Sequence, residues 1–153
     1  MNLKILSLVI IGVCILLPDV CYAFLEKDVH LLNMQNGLAD NTVSAVYKDK
    51  EGFVWFGTRN GLSRYDGRQI TNFEQSNSYP SISNLKEVFD GVLAFVDNGV
   101  FSAFDLKKER FLSVVSSSGQ GIPSRGMLQK NDSLVWVISG SELHLMKRCA
   151  SKE

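Results

Sequence analysis

The stretch from Gly52 to Gly67, GFVWFGTRNGLSRYDG, decides the fold. It holds one tryptophan, three other aromatic residues and four glycines, but no histidine and no cysteine. Its Asn60-Gly61 pair is a strong short-range hairpin signal, because both residue types tolerate a positive φ. Composition of this kind serves backbone shape and packing more than chemistry.

Short segments rich in β-branched and aromatic residues surround this stretch, and tight turns separate them. The predicted strands are Val43–Tyr47, Phe53–Thr58, Leu62–Tyr65 and Ile70–Glu74. Lys48–Glu51 is a charged turn that Gly52 closes. No helical period of comparable strength occurs after Phe24. The pattern therefore predicts a four-stranded antiparallel meander.

The same pattern recurs along the chain. EGFVWFGTRNGLSRYD is followed by DGVLAFVDNGVFSAFD, in which Gly91 takes the place of Gly52. A weaker third copy, SLVWVISGSELHLMK, places Trp136 two repeat lengths after Trp55. This period of about 40 residues, with four strands per repeat, is typical of β-propeller blades. The predicted fold is all-β, an incomplete propeller of about three blades, over about residues 43–74, 82–115 and, for a partial third blade, 125–147.

The N-terminus has the features of an export signal. A positive start, Met1–Lys4, precedes an uncharged apolar run, Ile5–Leu17. At about 1.5 Å per helical residue this run reaches about 20 Å, short of the roughly 30 Å hydrocarbon core. Residues 1–23 are therefore predicted to be a cleaved signal peptide that sends the chain to the periplasm. An uncleaved inner-membrane anchor is the alternative.

Cleavage is expected after Ala23, because Cys21 and Ala23 place small residues at the two positions that a signal peptidase reads. The exported protein would then begin at Phe24, and residues 24–153 would form the propeller region. N-terminal sequencing of exported protein tests this prediction. A sequence that starts at Met1 would contradict it.

The composition of residues 24–153 excludes several classes of protein. Basic and acidic side chains are equal in number over the whole chain, and the signal removes one of each, Lys4 and Asp19. The remaining part is therefore neutral, so no basic stripe is available for nucleic acid. Cys149 is the only cysteine after the signal, which rules out a disulfide framework within one chain. We expect no nucleic-acid partner, and contact with the membrane only through the signal peptide.

Residues 36–67 resemble the regulator-propeller repeat. That repeat reads roughly G-L-x-x-N-x-V, followed by D-x-x-G-x-x-W-x-G-T-x-x-G-L-x-x-Y. The matching residues here are Gly37, Leu38, Asn41, Val43, Asp49, Gly52, Trp55, Gly57, Thr58, Gly61, Leu62 and Tyr65.

The resemblance implies a function. The family forms the extracytoplasmic sensors of hybrid two-component systems, chiefly in gut Bacteroidetes, with the first repeat just after a signal peptide. Its propellers sense breakdown products of complex glycans and signal to a cytoplasmic histidine kinase. By this resemblance the chain is an N-terminal, truncated piece of a sensor that does not itself encode the kinase.

The later copies depart from the repeat. The second copy has Ala94 where tryptophan is expected, and the third has Ile138-Ser139 in place of Gly-Thr. The chain holds fewer than three full blades, whereas a closed propeller needs at least four.

Residues that serve catalysis elsewhere are sparse. Streptogramin lyases, one propeller class, use a histidine base with an acidic partner, and the two histidines here are His30 and His144. His144 alternates with Leu143 and Leu145, so we expect it on the strand face away from the core. Ser116–Gly121 is predicted to be a linker. Four aspartates are predicted to serve turn geometry, namely Asp66, Asp90, Asp97 and Asp105. No catalytic, cofactor or metal residue is predicted, and the chain is expected not to be an enzyme.

Three functions remain open at this point. The first is a ligand-sensing module of a two-component regulator, and the second is part of a propeller enzyme of the lyase kind. The third is a structural or assembly module. The expected partners are further propeller blades or another protomer, with an oligosaccharide as ligand of a complete propeller. The sequence does not identify the ligand-binding residues.

Overall fold

The computed structural model describes residues 30–74 and 81–147. The chain divides into two compact units, 1–31 and 32–153. Of the first unit only His30 and Leu31 are described, so the predicted signal peptide lies outside the described residues, as does Cys149. Within the described ranges no helix is long and apolar enough to cross a membrane. The fold below is that of the second unit.

The described part of this unit forms three antiparallel sheets, each a simple meander. Sheet 1 contains β1 (Val43–Lys48), β2 (Val54–Thr58), β3 (Gly61–Tyr65) and β4 (Ile70–Phe73). Sheet 2 contains β5 (Ile82–Phe89), β6 (Val92–Asp97), β7 (Val100–Asp105) and β8 (Arg110–Leu112). Sheet 3 contains β9 (Gly126–Asn131), β10 (Leu134–Ser139) and β11 (Glu142–Lys147). The predicted all-β class is confirmed.

The two Asn-Gly pairs close hairpins in different ways. In sheet 2, Asn98 (φ 47°) and Gly99 (φ 78°) both take the left-handed region, as the pair is suited to do. In sheet 1 only Gly61 is left-handed, with φ 108°. Thr58 completes that turn, since its Oγ1 accepts a hydrogen bond from the Asn60 amide at 3.1 Å and donates to the Gly61 carbonyl at 2.9 Å.

Two hydrophobic clusters join the sheets. The first lies between sheets 1 and 2 and centres on Trp55, with Phe95 and Phe104 fully buried beside it. The second lies between sheets 2 and 3, where Val135 and Val137 pack against sheet 2. A single sheet cannot bury its own faces, so the hydrophobic core forms where the sheets stack on one another.

Strand β8 ends at Leu112, before Val115, where the sequence placed the end of the second blade. The chain leaves the sheet there and returns beside the first residues of β7. The Phe101 amide donates to the Ile122 carbonyl at 2.8 Å, and Val100 forms a bridge with Pro123. The edge of β7 is therefore satisfied by two segments instead of one long strand.

Candidate functional site

Asp49 and Trp55 form the central contact of the repeat motif. Asp49 Oδ2 accepts a hydrogen bond from Trp55 Nε1 at 2.8 Å. Its Oδ1 accepts from the amides of Glu51 at 3.0 Å and Phe53 at 2.9 Å. One carboxylate therefore closes the turn between β1 and β2 and fixes the orientation of an indole that is only 1% exposed. The fixed spacing between aspartate and tryptophan in the motif follows from this geometry.

Arg64 extends this contact across the junction of sheets 1 and 2. Its guanidinium lies 4.9 Å from the Phe53 ring centre and 5.6 Å from that of Trp55. Its Nη1 donates to Glu109 Oε1, in the turn between β7 and β8 of sheet 2, at 2.6 Å. The indole also contacts Phe104 of sheet 2, with ring centres 5.5 Å apart. The aromatic residues of the motif therefore hold two sheets together.

Gly57 permits the closest approach between these sheets. A Cβ at this position would lie 2.5 Å from Ile82 Cγ2 and 3.3 Å from Ala45 Cβ. Ile82 is completely buried, and its branch at Cβ leaves little freedom to move aside. The φ of Gly57 is not positive, so the backbone conformation alone does not require glycine. The close packing against Ile82 does.

Gly57→Ala is expected to lower the free energy of unfolding by about 1–3 kcal/mol, the usual cost of an overpacked core. Ile82→Ala removes Cγ2 and, in the wild-type background, should cost about 2–5 kcal/mol. In the Gly57→Ala background the same change should cost less, because it removes the atom that lies nearest to the added Cβ. Urea unfolding of the four proteins measures this coupling. Strictly additive losses would contradict the predicted contact.

The first half of the motif ties the preceding segment to sheet 1. A short 3₁₀ helix, Met34–Asn36, ends at Gly37 with φ 105°. The Gly37 carbonyl accepts from Asn72 Nδ2 on β4 at 2.9 Å, and Leu38 is 4% exposed. Asn41 Oδ1 accepts from the Met34 amide at 2.8 Å.

The remaining motif residues also sit in turns and strands of sheet 1. Gly52 takes a φ of 96° in the turn after β1, and Leu62 is completely buried in β3. Tyr65 ends β3 partly buried, and Val43 begins β1 with 39% of its surface exposed. The twelve residues thus build the sheet and its junction, and they do not converge on one cleft.

A cleft of about 450 Å³ lies between sheets 1 and 2 and is lined by charged side chains. Lys50 Nζ lies 3.4 Å from Glu87 and 3.6 Å from Asp90, and Lys107 Nζ lies 3.4 Å from Asp90. The hydrogen bond from Lys107 holds the pKa of Asp90 below its usual value, and the charge of Glu87 raises the pKa of Lys50. These charged side chains pair with one another, so the ion pairs in the cleft connect sheet 1 with sheet 2.

His144 is on the other side of its strand from the position predicted. It pairs with the buried Val137 of β10, so its side chain lies on the face of sheet 3 that packs against sheet 2. Leu143 and Leu145 instead face outward and are 58% and 44% exposed. His144 remains accessible, with Nε2 3.2 Å from Glu142 Oε2, in a groove of about 460 Å³.

Two of the four aspartates assigned to turns do serve them. Asp66 Oδ1 accepts from the amides of Arg68 and Gln69, both at 2.7 Å, and the Gln69 bond is the main reason that the pKa of Asp66 is lowered. Asp105 Oδ1 likewise accepts from two amides of the following turn at 3.0 Å. Asp90 instead pairs with lysines, as described above.

Asp97 departs from the prediction. It ends β6 with only 6% of its surface exposed, and its Oδ1 has no hydrogen-bond partner among the described residues. Burial raises the pKa of Asp97, and a hydrogen bond from the Ser81 backbone only partly opposes this. A buried carboxylate with one unpaired oxygen costs stability.

Asp97→Asn is expected to raise the unfolding temperature near neutral pH. The folded pKa of Asp97 lies above its unfolded value, so the folded chain holds this proton more tightly and ionisation destabilises it. That destabilisation is absent below about pH 4, grows as pH rises toward the folded pKa, and is constant above it. Thermal unfolding of both proteins at about pH 3 and about pH 7 tests this, since asparagine is uncharged throughout. An equal difference at the two pH values would contradict it.

The described residues hold no group of three or more histidine, cysteine, aspartate or glutamate side chains that could bind a metal ion. His144 and Glu142 form an exposed pair of an imidazole and a carboxylate. What this part of the molecule builds most clearly is a stack of sheets with grooves between them, an architecture suited to binding.

The family model described as "Two component regulator propeller" matches residues 37–60. This match confirms the resemblance of the first repeat, and Asp49, Trp55 and Gly57 lie inside it. No curated protein sequence matches the chain significantly.

Solved structures show the same fold. The extracellular domain assigned to the hybrid two component system BT3049 of B. thetaiotaomicron is 20% identical, with a TM-score of 0.59 over 77% of this chain. The extracellular domain assigned to the one component system BT4673 of the same organism is 14% identical, with a TM-score of 0.57 over 80% of this chain. The chain spans 18% of the length of each of these two domains.

Proposed function

We propose that the chain forms part of the extracytoplasmic, ligand-sensing propeller of a two-component regulator. The match of residues 37–60 to the two-component regulator propeller carries this proposal. The geometry supports it, because Asp49 and Trp55 of the matched segment meet in one buried hydrogen bond at 2.8 Å. A coincidental resemblance in sequence would have no reason to place them in contact.

The proposed ligands are breakdown products of complex glycans, and the proposed recipient of the signal is a histidine kinase outside this chain. The export signal predicted at residues 1–23 would place the sheets in the periplasm. The strands of each sheet are held together by hydrogen bonds, so each sheet moves as one unit. A ligand bound between two sheets would therefore shift one sheet relative to the other. Such a rigid-body shift is a common way of passing a binding signal.

The test is an in-frame deletion of the codons for residues 24–153 in the source bacterium. Transcripts of its polysaccharide-utilisation genes are then measured after addition of purified oligosaccharides of different classes. We expect one class to induce transcription in the parent strain and to lose this effect in the deletion strain. Arg68→Ala, which alters an exposed side chain in the turn before β4, serves as the control and should retain induction. Unchanged induction by every oligosaccharide in the deletion strain would exclude the proposed role.

An assembly role is the second candidate, and the outer face of sheet 3 favours it. Five large apolar side chains share this face, and four of them are at least 44% exposed. They are Leu128, Trp136, Ile138, Leu143 and Leu145. If assembly alone is the function, the deletion would leave transcription unchanged while altering the size of the native complex.

A further inference from the structure

The junction between sheets 2 and 3 lacks the two side chains that fill the junction between sheets 1 and 2. In sheet 1, Trp55 of β2 lies opposite Arg64 of β3. In sheet 2, the residues one repeat later are Ala94 and Ala103, which also lie opposite each other. The internal repeat therefore provides its own comparison: an indole and a guanidinium at one junction, and two methyl groups at the next.

A groove of about 470 Å³ lies at this junction, and both alanines are among the residues that line it. Sites for small organic ligands typically measure about 300–1,000 Å³ and are mostly apolar. The walls here are apolar, with Phe101 and Leu112 on sheet 2 and Val135 and Met146 on sheet 3. Ala94 and Val135 are completely buried and close the base of the groove, and its open part lies beside the partly exposed Leu112 and Met146.

The rim of this groove is cationic. Lys108, Arg110 and Lys147 lie along it, and the side chains of these three residues form no ion pair within residues 30–74 and 81–147. The acidic residue at the rim, Asp105, already accepts hydrogen bonds from the amides of Lys107 and Lys108. An anionic group at the mouth of the groove would gain attraction from three unpaired cations.

We propose that this groove binds a small organic anion with a flat apolar body, such as an aromatic carboxylate or sulfonate. The ring lies between sheets 2 and 3 beside Leu112 and Met146, and the small Ala94 and Ala103 stand beneath it where the preceding sheet has Trp55 and Arg64. The anionic group stays at the rim beside Lys108 and Arg110. A glycan is a poor fit, because its hydroxyl groups would lose water against apolar walls without gaining partners. The inferred site goes beyond the glycan-sensing role proposed above and does not depend on it.

Two fluorescent probes with the same ring system test the inference on the purified full chain. 8-Anilinonaphthalene-1-sulfonate carries the anion, and N-phenyl-1-naphthylamine is its neutral counterpart. Lys108→Glu combined with Arg110→Glu should weaken binding of the sulfonate by about tenfold, as the loss and reversal of charge at a partly exposed site implies. Binding of the neutral probe should change by less than about twofold, since its apolar contacts remain.

Ala94→Trp supplies the side chain found in sheet 1 and should abolish binding of both probes by filling the groove. Thermal unfolding of each variant shows whether it folds, and the charge-reversal variant provides the test if the tryptophan is not accommodated. Leu128→Lys, on the opposite face of sheet 3, is the matched control and should leave both affinities unchanged. The inference is overturned if neither probe binds, if charge reversal leaves sulfonate binding unchanged, or if only Leu128→Lys reduces binding.

Discussion

Trp55→Ala is expected to lower the free energy of unfolding by about 3–5 kcal/mol, the usual cost of emptying a large buried aromatic site. The indole is 1% exposed and contacts the rings of Phe73 and Phe104 at 5.6 and 5.5 Å between centres. Its loss also leaves Asp49 Oδ2, which accepts the indole N–H at 2.8 Å, without that donor. Whole domains are stable by only about 5–15 kcal/mol, so the variant should unfold at markedly lower temperature or fail to fold.

Trp136→Ala is the matched control for this experiment, because it removes the same side chain from the corresponding strand of sheet 3. Trp136 is only partly buried and lies on the outer face of that sheet. Its change should cost much less than that of Trp55, in keeping with the smaller effects of surface substitutions. Calorimetric or fluorescence-monitored unfolding of both variants gives the comparison. Equal losses would mean that Trp55 does not hold sheets 1 and 2 together.

The strands and their order follow from local features of the sequence. Gly61 and Gly99 mark turns between strands that β-branched and aromatic residues define, and Gly52 recurs one repeat later as Gly91. Hairpin turns, and the alternation of side chains between the two faces of a strand, depend only on neighbouring residues. They can therefore be predicted without knowledge of the rest of the chain. The predicted all-β fold built from repeated sheets is confirmed for this reason.

Contacts between sheets could not be predicted from the sequence in the same way. Arg64 reads as one cation in a hairpin, yet it lies over three aromatic rings and binds Glu109, which belongs to the next repeat. The pairing of Ile122 with Phe101 likewise depends on where the linker returns in space. Such contacts depend on the stacking of whole sheets, which no local pattern specifies.

His144 shows a second limit. Alternation with Leu143 and Leu145 places it on the opposite face from those leucines, as observed, but alternation does not say which face is covered. The prediction requires the leucines to face the core. Sheet 2 instead covers the side of Val137 and Met146, and the leucines are left exposed. Residues that line a groove between sheets cannot be predicted from the sequence for a related reason, since such a groove has no signature in any one strand.

The full chain is expected to self-associate through the outer face of sheet 3. Leu128, Ile138, Leu143 and Leu145 on this face are 65%, 45%, 58% and 44% exposed, and Trp136 lies among them. Contiguous apolar patches larger than a few hundred Å² mark association sites on soluble proteins. Within the described residues, β11 is also an edge strand of its sheet, so its free backbone groups can pair with another strand. Light scattering should therefore give a mass above that of the monomer, rising with concentration.

Leu128→Lys combined with Leu145→Lys should shift the chain toward the monomer. The two side chains lie on the outer strands of the sheet, on either side of Trp136, so two lysines would place charge across the whole face. Burying an ammonium group without a partner is strongly unfavourable, whereas the exposed side chains contribute little to the fold of the monomer itself. Val115→Lys is the matched control, because this residue is 52% exposed but lies outside the three sheets. If the double variant retains the mass of the parent protein, association uses another surface, and the outer face of sheet 3 is not the place where a further blade or protomer docks.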